Sequence, residues 1–222
     1  IVLVLLFHLL TLIIPLATLF IKAFQNKSGE FVFFKNFEQV FTGPAFTITI
    51  KNSLFTTTIS SLLCVLLAFI CAYALTRTKL KNHNWPYPFL LLPLVTPSML
   101  SAISLIYLMG NNGPLKFLLL GHSIYGPIGI IFGSVFWTFP SALMILISGL
   151  GATDYRLYES AKCMNTTPWR TFLTITLPSV KYPLTLAFLM VFSLIITDFG
   201  VPKIIGGHYS VLATSVYQQV VG

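Results

Sequence analysis

Chemistry in this chain would have to come from few groups: five acids, four histidines and three cysteines in 222 residues. The histidines, His8, His83, His122 and His208, share no metal-ligand spacing. Cys64, Cys71 and Cys163 form no C-x-x-C pair, so they read as free thiols with neither a zinc site nor a disulfide framework. No G-x-x-x-x-G-K-[ST] stretch is present, so this chain does not cradle nucleotide phosphates in the usual way. The triplet Asp198, Phe199, Gly200 spells a kinase motif without the Gly-rich loop or H-R-D that would give it meaning. Asp198 is still the one acid inside an apolar run. A carboxylate there either belongs to a solute pathway, with Gly200 beside it, or caps neighbouring backbone.

The elements that must position these groups are set by composition. The chain is 56% hydrophobic and 8% charged, with a mean hydropathy of +0.88. Too few charges remain to solvate a soluble surface, which excludes a disordered segment, a coiled coil, most cytosolic enzymes and a soluble nucleic-acid-binding module. The residues specify an all-α polytopic membrane helical bundle. The net charge of +8 comes from Lys and Arg scattered through loops, which suits anionic headgroups of membrane lipid and not nucleic acid.

A crossing helix needs about 20 mostly apolar residues. Five runs qualify, at about 1–24, 50–75, 87–109, 125–150 and 182–205, and a further helix starts after Tyr209. The third run holds Pro88, Pro93 and Pro97, so it should be kinked or begin unwound, its freed carbonyls satisfied by neighbouring helices. Because the chain opens inside an apolar run, it reads as part of a longer polypeptide, with a sixth span beyond it. The linker 76–85 is rich in Arg and Lys and 110–124 is poor in them, which puts 76–85 and 151–181 inside and 110–124 outside.

The polar stretch 151–180 is the most informative part. Asp154 can cap a helix on which Leu157, Tyr158, Ala161 and Met164 recur at spacings of three and four, predicting one apolar face. Asn165 suits a left-handed C-terminal cap, and Thr167 can cap a second helix with Pro168 at its first position. Pro178 should break that helix before the fifth span. The outcome is a surface helix-turn-helix offering apolar residues and one acid, Glu159, to a partner.

Glu159, Ser160, Ala161, three residues, Asn165, nine residues and then Ile175, Thr176, Leu177, Pro178 resemble the E-A-A-x-x-x-G-x9-I-x-L-P signature of permease subunits of bacterial ABC importers. Ser160 replaces the first Ala and Asn165 the Gly, both mild departures. Asn52, Ser53, Leu54 and the run Ala72 to Arg77 are similar to the start of that family's transmembrane region. The stretch Thr197 to Gly207, followed by Val211 to Thr214, is similar to the branch serving ferric iron and 2-aminoethylphosphonate.

The resemblance implies a type I ABC importer permease fold forming one transmembrane domain over 1–222, in the bacterial cytoplasmic (inner) membrane. It implies that 151–180 is a coupling loop docking into a cytoplasmic ABC ATPase dimer, through Asp154, Leu157, Tyr158, Glu159, Ser160, Ala161, Met164, Asn165, Pro168, Leu177 and Pro178. ATP and Mg would be bound by that partner, and no cofactor or metal by this chain. An extracytoplasmic solute-binding protein would deliver solute to the outer loops, including 25–49 and 110–124. A second permease half, fused or separate, would complete the pathway, for which Asp198 and Gly200 are the candidates. The Pro-rich third run and Gly200, Gly206 and Gly207 are candidate hinges.

Overall fold

The computed structural model describes residues 2–26, 28–78 and 86–221, so Lys27 and the basic part of the second linker, 79–85, lie outside the described residues. The chain separates into a unit over residues 1–48 and a larger one over 49–222. In the first, α1 (Val2–His8), a π-helical turn (Leu9–Ile13) and α2 (Ile14–Ala23) form one apolar rod. The polar return is folded: Gln25 pairs with Phe31, and Asn36 Nδ2 donates to the Ala23 and Gln25 carbonyls at 3.1 and 2.9 Å. These bonds fasten α3 (Lys35–Thr42) to the end of the rod.

Helix α4 (Pro44–Arg77) starts in the first unit and runs through the second. It begins earlier than the apolar run because Pro44 sits in its first turn, where a missing amide costs nothing. The third run is broken as anticipated. It comprises α5 (Pro86–Leu91), a 3-10 turn (Leu92–Val95) and α6 (Ser98–Met109), bent by 113°. The freed Pro93 carbonyl is taken locally, by the Thr96 amide at 3.2 Å and hydroxyl at 2.9 Å, and not by a neighbouring helix. Helix α7 (Pro127–Gly151) matches the fourth run, and α8 (Tyr155–Cys163) follows it.

The largest departure from expectation lies after α8. Helix α9 (Pro168–Thr171) passes through a π-helical turn (Phe172–Thr176) into α10 (Leu177–Ile196), giving one apolar helix from Pro168 to Ile196. The expected break at Pro178 is absent. The Leu177 amide bonds the Phe172 carbonyl five residues back, and this wider turn leaves Pro178 at the start of α10, where it needs no donor. The fifth span therefore begins well before Tyr182 and ends at Ile196. Residues 200–205 form a separate short helix, α11 (Gly200–Ile205), and α12 (Leu212–Val221) is the anticipated further helix.

The Arg77 side chain bonds the Leu150 carbonyl, so α4 and α7 end at the same level. At their other ends, Asn52 and Ser53 of α4 bond Ser210 and Leu212, and the Gly126 amide before α7 bonds the Ile205 carbonyl. Two helices running the same way require the chain between them to cross once, so the bent pair α5 and α6 is a broken span. Two cores follow. One, at the Arg77 end, joins Cys64 to Ala72, Ala142 to Leu150 and Val180 to Val191; the other joins Ala102, Ile124, Ile130, Val201 and Ile205. Close approach is enabled by a stripe of small residues on α4, Ser53, Thr56, Thr57, Ser60, Ser61, Cys64 and Ala68, all buried.

Candidate functional site

The turn chemistry read from the sequence between α7 and α10 is present. Asp154 is extended (φ −60°, ψ 120°), and its carboxylate accepts the Arg156 amide at 2.9 Å, which starts α8. Asn165 closes α8 in the left-handed region at φ 50°, and the Thr166 amide returns to the Ala161 carbonyl at 3.1 Å. Thr167 Oγ1 accepts the Arg170 amide at 3.4 Å, with Pro168 at the first helical position. Each is a contact between near neighbours, which is why residue type and spacing predict it.

The predicted single apolar face of α8 is divided. A helix turns about 100° per residue, so Leu157 and Met164 share a direction while Tyr158 lies roughly a quarter turn away. Leu157 and Met164 are 49% and 77% exposed, and Glu159 and Ser160 are exposed as well, Glu159 nearly half a turn around the helix from Leu157. Ala161 is buried, and the Tyr158 hydroxyl lies 3.0 Å from Thr176 Oγ1. Among the described residues no cation pairs with Glu159, which stands exposed on the first turns of α8. Pro168 and Pro178 are exposed and Leu177 is 39% exposed on the continuous helix behind it.

Arg77 ties this insert to the bundle. Its Nη2 donates to the Leu150 carbonyl at 2.6 Å, and its Cζ sits 4.2 Å from the centroid of the Tyr158 ring. It thereby satisfies a carbonyl at the end of α7 while stacking on α8. The sequence marked Arg77 only as the close of a span. The signal was there, an arginine ending a long apolar run, but its partners stand 73 and 81 residues along the chain.

Asp198 and Gly200 lie at the other end of α10. Asp198 Oδ1 accepts Ser98 Oγ at 2.7 Å and the Gly200 amide at 3.1 Å, and Oδ2 accepts the Val201 amide at 2.9 Å. The carboxylate thus caps neighbouring backbone, bonding the first two amides of α11 and fastening it to the head of α6. A side chain at Gly200 would collide with Ser98 Oγ and come within 2.9 Å of Met99, so this glycine permits a close crossing.

Residues 64–220 match the family model described as binding-protein-dependent transport system inner membrane component. The chain belongs to this family. An inner-membrane component of this kind is a multi-pass protein of the inner membrane, in keeping with four helices long and apolar enough to cross, or five with the bent pair. It is 24% identical over 218 residues to a ferric transport system permease protein of Haemophilus influenzae, an alignment covering 95% of this chain and 34% of that protein. It is 28% identical over 177 residues to a sulfate transport system permease protein of Prototheca wickerhamii, covering 78% and 68%. With a molybdenum transport system permease protein of Azotobacter vinelandii it shares 29% identity over 169 residues, covering 73% and 75%. The chain thus spans about a third of the length of the ferric relative. Its fold matches that of a bacterial ABC transporter that imports the acidic polysaccharide alginate, with a TM-score of 0.75 at 18% identity over 98% of this chain and 81% of that one.

Proposed function

We propose that this inner-membrane component is a permease half of an ATP-driven importer, moved by a separate ABC ATPase dimer that grips α8. One observation carries the reading: α8 leaves Leu157, Glu159 and Met164 exposed while Arg77 and Tyr158 fasten it to the ends of α4 and α7. A handle must offer a free face to the motor and be fixed on the other; α8 does both. Glu159 meets a basic residue of the ATPase, and Leu157 and Met164 fill its groove. Tyr158 and Ala161, assigned to that groove by the resemblance, hold the handle in place.

Solute arrives from an extracytoplasmic binding protein, and a second permease half completes the path. A solved relative of the same fold is a bacterial alginate transporter in complex with a pentasaccharide-bound periplasmic protein, which supports such a partner here. Ferric iron is the first cargo, because ferric permeases of Haemophilus influenzae and Actinobacillus pleuropneumoniae align with 95% and 78% of this chain. With it stands 2-aminoethylphosphonate, on the resemblance of 197–214 alone. A small oxyanion is the second reading, favoured by the sulfate and molybdenum relatives at 28% and 29% identity.

Co-purification tests the motor: an ATPase encoded beside this chain should elute with it in detergent and separate from the Glu159→Lys variant. Elution of the native chain without that ATPase would overturn the reading. Calorimetry of the neighbouring solute-binding protein against ferric iron, 2-aminoethylphosphonate, sulfate and molybdate decides the cargo.

A further inference from the structure

Between the end of α4 and the inward side of α8 lies a cavity of about 480 Å³, within the range of small-ligand pockets. Its wall carries two cations, Arg77 and Lys162, and no acid among the described residues. The rest of the lining is dominated by hydroxyl side chains, Tyr73 and Tyr158 among them.

The charge here is under-neutralised. Arg77 meets one carbonyl and one aromatic ring, and its Nε is buried with no hydrogen-bond partner. Among the described residues neither Lys162 Nζ nor the Tyr73 hydroxyl has a polar partner. By contrast, Thr76 gives its hydroxyl hydrogen to the Ala72 carbonyl at 2.7 Å, so it contributes dipole and not a donor. Two cations and a spare phenol converging on a concave space, with no carboxylate to balance them, suit a group with several anionic oxygens.

We propose that this cavity binds a phosphate group, supplied by an anionic phospholipid headgroup or by free phosphate. Arg77 provides the fixed charge, held by Leu150 and Tyr158, and Lys162 is the mobile clamp from α8. Bound there, the anion would join the end of α4 to α8 across a gap the protein leaves open. The site does not depend on the importer reading, since its walls all belong to this chain.

Calorimetry on the full chain in detergent tests it with three probes: dihexanoyl phosphatidylglycerol, dihexanoyl phosphatidylcholine and inorganic phosphate. The native protein should bind the phosphatidylglycerol or inorganic phosphate saturably, and the zwitterionic lipid about tenfold more weakly. Lys162→Gln, at an exposed position that folding does not need, should weaken binding about tenfold, and Tyr73→Phe should weaken it measurably with the ring kept. Saturation by inorganic phosphate identifies free anion as the occupant, and saturation by phosphatidylglycerol alone identifies the lipid. Failure of both to bind, or binding unchanged in both variants, overturns the proposal.

Discussion

Arg77 at the end of α4 lies 4.2 Å over the ring of Tyr158 on α8, two residues 81 positions apart in the chain. The same guanidinium closes α7 through the Leu150 carbonyl at 2.6 Å. One side chain therefore joins two helix ends to the middle of α8, and the insert inherits its position from the bundle through it.

Replacing Arg77 with Ala should cost about 2–3 kcal/mol, combining a charge-assisted hydrogen bond with a partly buried cation–π contact. Lys in its place keeps the charge but loses the planar stack and fork, and should recover less than half of that loss. Thermal unfolding of the detergent-solubilised protein would read both. An Arg77→Ala variant melting like the native protein would show that the contact holds nothing.

Glu159→Lys should abolish ATP-dependent uptake in proteoliposomes while the protein still inserts and melts within about 0.5 kcal/mol of the native value, because the side chain is exposed and unpaired among the described residues. Transport at the native rate by this variant would remove Glu159 from the coupling contact.

Gly200→Ala should destabilise by about 1–3 kcal/mol, since the new methyl group meets Ser98 Oγ and the Met99 backbone amide across the α6–α11 crossing. Gly151→Ala is the matched control: nothing lies within 4 Å of its added carbon, so the change should be neutral or slightly stabilising. Paired melting curves decide it, and equal shifts for the two would contradict the close crossing.

Asp198→Ala should lose about 2–4 kcal/mol, because three donors, Ser98 Oγ and the Gly200 and Val201 amides, lose their acceptor together. Ser98→Ala should lose about 1 kcal/mol, and the double variant should show coupling between them. Strictly additive losses in that double-mutant cycle would mean the two side chains do not interact.

Pro178→Ala should change stability by less than about 1 kcal/mol, because the π-helical turn before it already removes the clash a proline causes. A large gain in melting temperature on substitution would mean that Pro178 strains the helix after all.

What could be read in advance divides by distance along the chain. The caps at Asp154, Asn165 and Thr167 are contacts within a few residues, and spacing reports them faithfully. The first, second and fourth apolar runs located their helices because length and composition suffice for that, whereas the fifth run, read as 182–205, missed the start at Pro168 and the end at Ile196. The continuity through Pro178 was not legible, because a π-helical turn is chosen by how the backbone settles and no residue type announces it. Nor was the division of α8 into an inward and an outward side, which depends on Arg77 and Thr176 arriving from elsewhere in the sequence. Asp198 sits between these cases: its two amide bonds are local, but the Ser98 contact spans 100 residues.

The unbroken helix from Pro168 to Ile196 has a mechanical consequence. At about 1.5 Å per residue its 29 residues make a strut of roughly 43 Å. Its lower tip adjoins α8, and its upper tip abuts the elbow where Asp198 turns the chain into α11. The π-helical turn at Phe172–Thr176 and Pro183 are the two places along that length where such a strut would bend, so any displacement passed from one end to the other has to survive both.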